Sequence, residues 1–292
     1  MDEIFRDFSP KFAIAVSAAV FFFAAVIFWQ IGKLPDGKFH LKIFEVFAGD
    51  AILLETVAGH SIVVDGGENS DFAQKLFAEK NFFDRKIDAV ILTHPHADHL
   101  LGAAEVLEKF AVEKIILTGA EGDAVGWEFF AEKLRKTAAE IIFVNSKNAI
   151  VAGDLKLEIL NPQENLVGQT PSNLNDSSIV LRGCRFGKCF LLAADAEKNA
   201  EESMIRAGFD LSAEVLKVGH QGSKTSSTEN FLRTVRPNFA VIPAGRGNSF
   251  GHPHAEVVDR LKKSGAEIFI TRENGTAEFI FDRGNFAFST QR

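Results

Sequence analysis

Ala89-Val90-Ile91-Leu92-Thr93-His94-Pro95-His96-Ala97-Asp98-His99 runs from four apolar residues directly into three histidines and an aspartate. The apolar run predicts a buried strand. The histidine cluster after it is costly to explain as packing, because crowded imidazoles must either shed their hydration or repel one another once protonated. A divalent cation removes that difficulty, since neutral imidazole and carboxylate are its ordinary ligands. In an extended loop His94 and His96 face one way while Asp98 and His99 reach a second centre, so two adjacent ions are expected.

Working outward, short apolar or alternating runs at residues 39–46, 51–56 and 61–64 predict a β-meander, and residues 70–80 carry helical spacing at Phe72, Leu76 and Phe77. Beyond the histidines, helices are expected over residues 103–110 and 127–138, with strands at 114–117 and 141–144. A second batch of strands follows at 155–160, 178–182 and 189–193. It gives way to alternation: helix 198–207, strand 215–218, helix 227–235, strand 240–243, helix 254–264 and two closing strands. Two packed sheets with helices on their outer faces satisfy that order.

Residues 12–31 contain no charge and lie between Lys11 and Lys33. At a rise of ~1.5 Å per residue they span a ~30 Å hydrocarbon layer, with Trp29 near one end, where an indole suits the headgroups. A cleaved signal peptide would be shorter and followed by a small-residue cleavage site, which Gln30 to Pro35 does not provide. The chain therefore divides into a tail (1–11), a transmembrane anchor (12–31), a linker (32–38) carrying Pro35, Asp36 and Gly37, and a folded body (39–292). Arg6 and Lys11 before the span nearly balance Lys33, Lys38 and Lys42 after it, and that count leans weakly toward a cytoplasmic body.

A net charge of -7 disfavours a protein whose main business is coating nucleic acid. Cys184 and Cys189 are spaced unlike any zinc-binding pair and are read as packing residues, with a hairpin disulfide as the alternative. His40 and His60 have no company in the sequence and read as ordinary surface or strand residues. Arg260, Lys262 and Lys263 read as a solvated helix face.

Thr93 to His99 resembles the HxHxDH signature of metallo-β-lactamase-fold hydrolases, with Gly102 where that family often has glycine. The resemblance implies an α/β fold, the αββα sandwich, and a binuclear site holding zinc or manganese. It assigns His94 and His96 to one metal, Asp98 and His99 to the other, Asp195 as the bridging ligand and His220 as the late ligand of the second metal. Asp65, ending Ile62-Val63-Val64-Asp65, matches the aspartate that supports the ligands from behind. A closer resemblance, over residues 38–281, is to the C-terminal metallo-β-lactamase domain of ComEC-type DNA-uptake proteins. It rests on Gly219-His220-Gln221-Gly222-Ser223-Lys224-Thr225-Ser226, on Gly251-His252-Pro253-His254 and on Asn175-Asp176-Ser177-Ser178.

That resemblance implies a phosphodiesterase or nuclease, a nucleic-acid substrate, possible partnership with a separate channel protein, and a body outside the cytoplasmic membrane. It makes Asp98 and His252 candidate catalytic residues, with His252 protonating a leaving oxygen or contacting the phosphate. Ser223, Lys224, Thr225, Asn175 and His254 become candidate substrate contacts, the first three at a helix start where free N–H groups favour an anion. The chain departs from the family pattern at Glu45 and Phe47-Ala48, at Ala193-Ala194 and at Gln221. No histidine lies between His99 and His220. The first metal is thus left with His94, His96 and Asp195 plus an open position unless Asp176 or Asn175 fills it. The rival readings are a hydrolase of another ester, thioester or lactam, and a non-catalytic nucleic-acid-binding module that keeps metals for stability.

Overall fold

Burial along the first strands alternates between two different cores, and this sets the architecture. Ile52, Leu54, Ile62 and Val64 face one apolar cluster, while Leu53 and Val63 between them face another. A strand with period-two side chains that is apolar on both faces must be covered on both. In the computed structural model, which describes residues 10–82, 84–122, 126–246 and 250–291, both faces are covered. Residues 1–9 of the expected N-terminal tail lie outside the described residues.

The chain opens with α1 (Pro10–Ile31), then β1 (Phe39–Ile43), β2 (Ile52–Glu55), β3 (Ser61–Val64), α2 (Asp71–Glu79), β4 (Lys86–Ile91), α3 (Ala97–Lys109), β5 (Ala111–Leu117), α4 (Trp127–Lys136) and β6 (Glu140–Phe143). The second half holds β7 (Ala149–Ala152), β8 (Leu155–Asn161), β9 (Val180–Arg185), β10 (Lys188–Leu192), α5 (Lys198–Arg206), β11 (Val215–Lys217), α6 (Glu229–Val235), β12 (Phe239–Ile242) and α7 (Ala255–Ser264). β13 (Glu267–Ile270), the short α8 (Thr271–Asn274), β14 (Thr276–Asp282) and β15 (Asn285–Gln291) close it. One sheet runs β15-β14-β1-β2-β3-β4-β5-β6 and the other β13-β12-β11-β10-β9-β8-β7. The αββα sandwich is as expected. Phe39, Phe190 and Phe281 meet at its centre, with the Phe39 and Phe190 rings stacked 5.4 Å apart.

Several features differ from expectation, the short α8 among them. Three strands follow α7 rather than two, and β7 was not anticipated. Helix α3 begins at Ala97, so Asp98 and His99 lie on a helical turn and not in an extended loop. Their side chains reach the same region as His94 because α3 starts directly against the end of β4. Finally, Cys184 and Cys189 form a disulfide, correcting the packing reading. Between β9 and β10 the turn is only Phe186-Gly187, both left-handed, which sets Cys184 directly across from Cys189 with Cα atoms 4.0 Å apart. The two-residue turn was the signal for that pairing.

Helix α1 projects from the body with almost all of its residues exposed, and Ile14–Ile31 is long and apolar enough to cross a membrane. Its last turn is an exception. Gln30 is buried, accepts at its Oε1 from Phe82 N (2.7 Å), and accepts at its backbone carbonyl from Asn81 Nδ2 (2.9 Å).

Candidate metal centre

The ends of four strands meet at one rim of the sandwich. β3 leads into Asp65, β4 into Thr93 and His94, and β10 and β11, parallel neighbours in the other sheet, lead into Asp195 and His220. A backbone bond from Ile179 N to Thr93 O at 3.0 Å ties the sheets together beside the site. Asp65, Ala194, His220 and Gln221 all adopt left-handed backbone conformations, which are sparse for residues other than glycine. Such conformations cluster where a fold has to aim side chains.

The two motif regions interlock without room for extra atoms. A Cβ on Gly102 would lie 1.8 Å from Gly66 O, and one on Gly49 would lie 1.6 Å from Asp98 O. These contacts clamp α3, and with it Asp98 and His99, against the ends of β2 and β3. The resemblance at Gly102 therefore has a steric cause.

His94, His99 and Asp195 are buried, and each offers a ligand atom within 4.8 Å of the others. His94 Nε2 lies 3.0 Å from His96 Nδ1, while His99 Nε2 and His220 Nε2 lie 3.4 and 3.7 Å from Asp195 Oδ2. Asp98 Oδ2 is 3.8 Å from His99 Nε2. All six sequence-expected ligands are thus brought to one place. Asp65 stands behind them: it accepts from His99 Nδ1 (2.8 Å) and from the Thr93 hydroxyl (2.7 Å) and backbone N–H (2.8 Å). With its Nδ1 committed to Asp65, His99 turns Nε2 inward, where this wholly buried nitrogen makes no hydrogen bond. Asp195 Oδ1 is likewise buried without a hydrogen-bond partner. A buried imidazole nitrogen without a hydrogen bond, gathered with His94 and the Asp195 carboxylate, is what a cation site looks like when only protein atoms are counted.

The electrostatics agree. Burial disfavours charge on His99, yet Asp195, Asp65 and Asp98 hold its pKa well above the ordinary histidine value, so the pocket strongly favours positive charge. Burial and the neighbouring His99 press His94 well below that value, and His96 is lowered by the same causes. A bound cation requires neutral imidazoles, and these two are already neutral.

Sequence reasoning missed Lys217 and Asp50 as part of the site. Lys217 is completely buried, donates to Ala194 O at 2.6 Å, and pairs with Asp50 directly behind Asp195. Burial pushes Asp50 up to about 7, opposed by Lys217. Gln221, noted only as a departure, donates from Nε2 to Asp98 Oδ2 at 2.8 Å. Glu197 is a further unforeseen participant. It faces His220 Nδ1 at 3.2 Å and accepts from Asn175 Nδ2 (3.1 Å) and the Thr225 hydroxyl (3.0 Å).

The expected substrate contacts fare unevenly. Ser227 N and Thr228 N, the free amides anticipated for an anion, donate to the two carboxylate oxygens of buried Glu201. The helix start is thus filled by the protein's own carboxylate, which corrects the phosphate reading there. Ser223 and Thr225 bond each other at 2.9 Å, and Lys224 is exposed. His254 caps α7 and accepts from Lys224 N at 3.2 Å. Asp176 binds Glu197 N, Ala200 N and the Asn173 and Asn199 side chains, so it is committed to the start of α5 and does not fill the open metal position. Asn175 keeps a buried Oδ1 without a hydrogen bond. His252 is buried beside His220, their rings 5.4 Å apart, and burial with His220 and His254 lowers its pKa to about 4.

Residues 45–246 match the family described as the metallo-beta-lactamase superfamily. Among curated relatives, ComE operon protein 3 of Bacillus subtilis is 31% identical over 198 residues, 68% of this chain and 25% of that protein. Competence protein ComA of Neisseria gonorrhoeae is 27% identical over 270 residues, 91% of this chain and 36% of that protein. The chain thus spans 25% and 36% of the length of these two relatives. Among solved structures, the metallo-beta-lactamase fold protein YhfI from Bacillus subtilis superimposes with a TM-score of 0.53 at 18% identity, covering 82% of this chain and 99% of that one. At that identity the likeness bears on the fold alone.

Proposed function

This chain belongs to the metallo-beta-lactamase superfamily, and on that premise we propose that it is a membrane-anchored, divalent-metal-dependent phosphodiesterase acting on nucleic acid. One observation carries the metal part: the buried, hydrogen-bond-free His99 Nε2 is gathered with His94 and Asp195, each offering a ligand atom within 4.8 Å of the others, beside carboxylates that favour positive charge. In this reading His94, His96 and Asp195 would hold one ion, and Asp98, His99 and His220, with Asp195, would hold a second, either zinc or manganese. Bound there, the ions supply a water acidified toward ~7 and offset the charge that develops on a phosphoryl group.

The chain's own residues have separable tasks. Asp65 and Thr93 fix the ring orientations of His99 and His94. Gln221 holds the Asp98 carboxylate by a charge-assisted hydrogen bond. His252 stands beside His220, their rings 5.4 Å apart, and in this reading it contacts a substrate oxygen or protonates the leaving one. Beside His94 and Pro95 an apolar cleft carries Trp127 and Phe143, which suit the stacking of a base.

The nucleic-acid substrate is supported by the relative named as a competence protein and by the three motif blocks shared with ComEC-type domains. A channel protein is the partner that the resemblance to ComEC-type DNA-uptake domains implies. The disulfide supports a body outside the cytoplasmic membrane, because such bonds persist in oxidising compartments.

The test is a chromogenic phosphodiester and a single-stranded DNA, each assayed with manganese and with zinc, comparing the wild type with Asp195→Ala and His94→Ala. Cleavage that both variants lose supports the reading. Full metal occupancy with no cleavage of either substrate would overturn it, and hydrolysis of a chromogenic lactam instead would transfer the site to the rival chemistry.

A further inference from the structure

We propose that the surface formed by Phe77, Phe82 and Arg85 lies in the lipid headgroup layer at the end of α1, holding the metal centre at the opposite end of the sandwich from the bilayer. The inference rests on the reading of α1 as a membrane anchor.

The body is attached to the last turn of α1, not merely tethered by the linker. Besides the two bonds to Gln30, Lys33 Nζ donates to Ala78 O and reaches Lys80 O at 3.4 Å. The same ammonium lies 3.7 Å from the centroid of the Trp29 ring. Residue 30 is the next to last of the apolar run, so at ~1.5 Å per residue it stands within one helical turn of the membrane boundary. Phe82, whose backbone N–H is bonded to Gln30, shares that level, as does Trp29, the indole suited to headgroups.

The exposed chemistry at that level is amphipathic. Phe82 is 53% exposed and Phe77 37%, their rings meet edge to face at 6.3 Å, and Leu34 in the linker is 55% exposed. The Arg85 guanidinium lies 4.5 Å from the Phe77 centroid and 5.5 Å from that of Phe82. Half-exposed aromatic rings beside a guanidinium form an amphipathic patch. They are well placed where rings meet acyl-chain ends and a guanidinium meets lipid phosphate.

The strand after Arg85 fixes the consequence. β4 starts at Lys86 and leads through Leu92 to Thr93 and His94. Over six residues at ~3.3 Å each, about 20 Å separates its two ends. Because β3, β5 and β6 run parallel to β4, the whole rim carrying the metal ligands is the end remote from α1. Substrate therefore arrives from water, and a phosphodiester lying in the same bilayer is out of reach.

The test uses the full chain in phosphatidylcholine–phosphatidylglycerol liposomes. Single cysteines are introduced by Val20→Cys, Phe82→Cys or Lys198→Cys and spin-labelled, the native pair being held in its disulfide. Collision with oxygen, which concentrates in lipid, is compared with collision with a water-soluble nickel chelate. The expected result is a lipid signature at position 20, an oxygen-to-nickel ratio at position 82 several-fold above that at position 198, and a water signature at 198. A water signature at 82 with lipid at 20 would overturn the surface contact and leave the anchor standing. Water at position 20 would overturn both. Spin–spin broadening at 82 would overturn the lipid assignment in favour of a second copy of the chain.

Discussion

Asp65 accepts a hydrogen bond of 2.8 Å from His99 Nδ1, with both side chains wholly buried. That bond fixes which nitrogen of His99 faces the metal centre. Asp65→Asn keeps a residue tolerant of the left-handed backbone but loses the carboxylate. Metal affinity is expected to fall about 10- to 100-fold, the usual effect of removing such a support. Competition titration against a chelating dye measures it, and unchanged affinity would show that Asp65 serves folding alone.

Gln221 holds Asp98 from the other sheet. Gln221→Ala is expected to lower kcat about 10-fold with metal content retained, in keeping with roughly 1.5–3 kcal/mol for a hydrogen bond to a charged group. Gln221→Glu sets a carboxylate against a carboxylate and is expected to cost more. Parallel kinetics and metal analysis separate a loss of turnover from a loss of ions.

Ala194 occupies a left-handed conformation, φ 46°, where the resembling family has glycine. The strain of a Cβ there makes Ala194→Gly a stabilising change of about 1 kcal/mol. Urea denaturation at fixed metal concentration tests this. An equal or lower midpoint would mean the backbone relaxes around Ala194 without cost.

His40, which has no company in sequence, is held between Asp36 at 3.0 Å and Glu278 at 2.9 Å. Burial opposes its charge, but the two carboxylates overcome this and raise its pKa above the ordinary 6.5. Its contribution to stability is therefore complete below 6.5 and lost as pH rises through the raised folded value. Despite burial, Asp36 and Glu278 are lowered by His40, so their contributions are lost as pH falls below their ordinary values of 3.8 and 4.5. Melting temperature is expected to peak between 4.5 and 6.5, with the alkaline slope flattened by His40→Gln. An unaltered slope in that variant would remove His40 from the account.

The Cys184–Cys189 bond closes a short loop, so Cys184→Ser is expected to cost at most about 2 kcal/mol. Metal content should be unaffected, since the pair lies on a hairpin away from the ligands. In intact cells a maleimide gel shift is expected only after reduction. A shift without reductant would argue for a body inside the cell.

The layers of the sandwich and the cluster His94, His96, Asp98 and His99 were legible from local signatures, period-two burial in strands and histidines too crowded to be packing, whereas Asp195 and His220 entered only through the family resemblance. The illegible parts depend on contacts between distant segments. Lys217 reads as a polar residue in a strand, and only folding reveals Asp50 behind it. Glu201 reads as an exposed helix residue until it is found occupying the amides of Ser227 and Thr228. The helical start at Ala97 was hidden because Pro95 and the histidines around it mask the helical propensity of Ala97 to Leu101, while the clamp at Gly49 and Gly102 that sets it lies outside the motif.

Asp98 and His99 belong to the eight-stranded sheet's side of the molecule, Asp195 and His220 to the other. An ion shared among them would act as a rivet through both halves of the sandwich, added to the Ile179–Thr93 and Gln221–Asp98 bonds that already cross that rim. Occupancy and gape are then one variable. Amides near residues 93–99 and 194–221 should lose their protection against deuterium together when the ions are stripped, however far apart they stand in the chain.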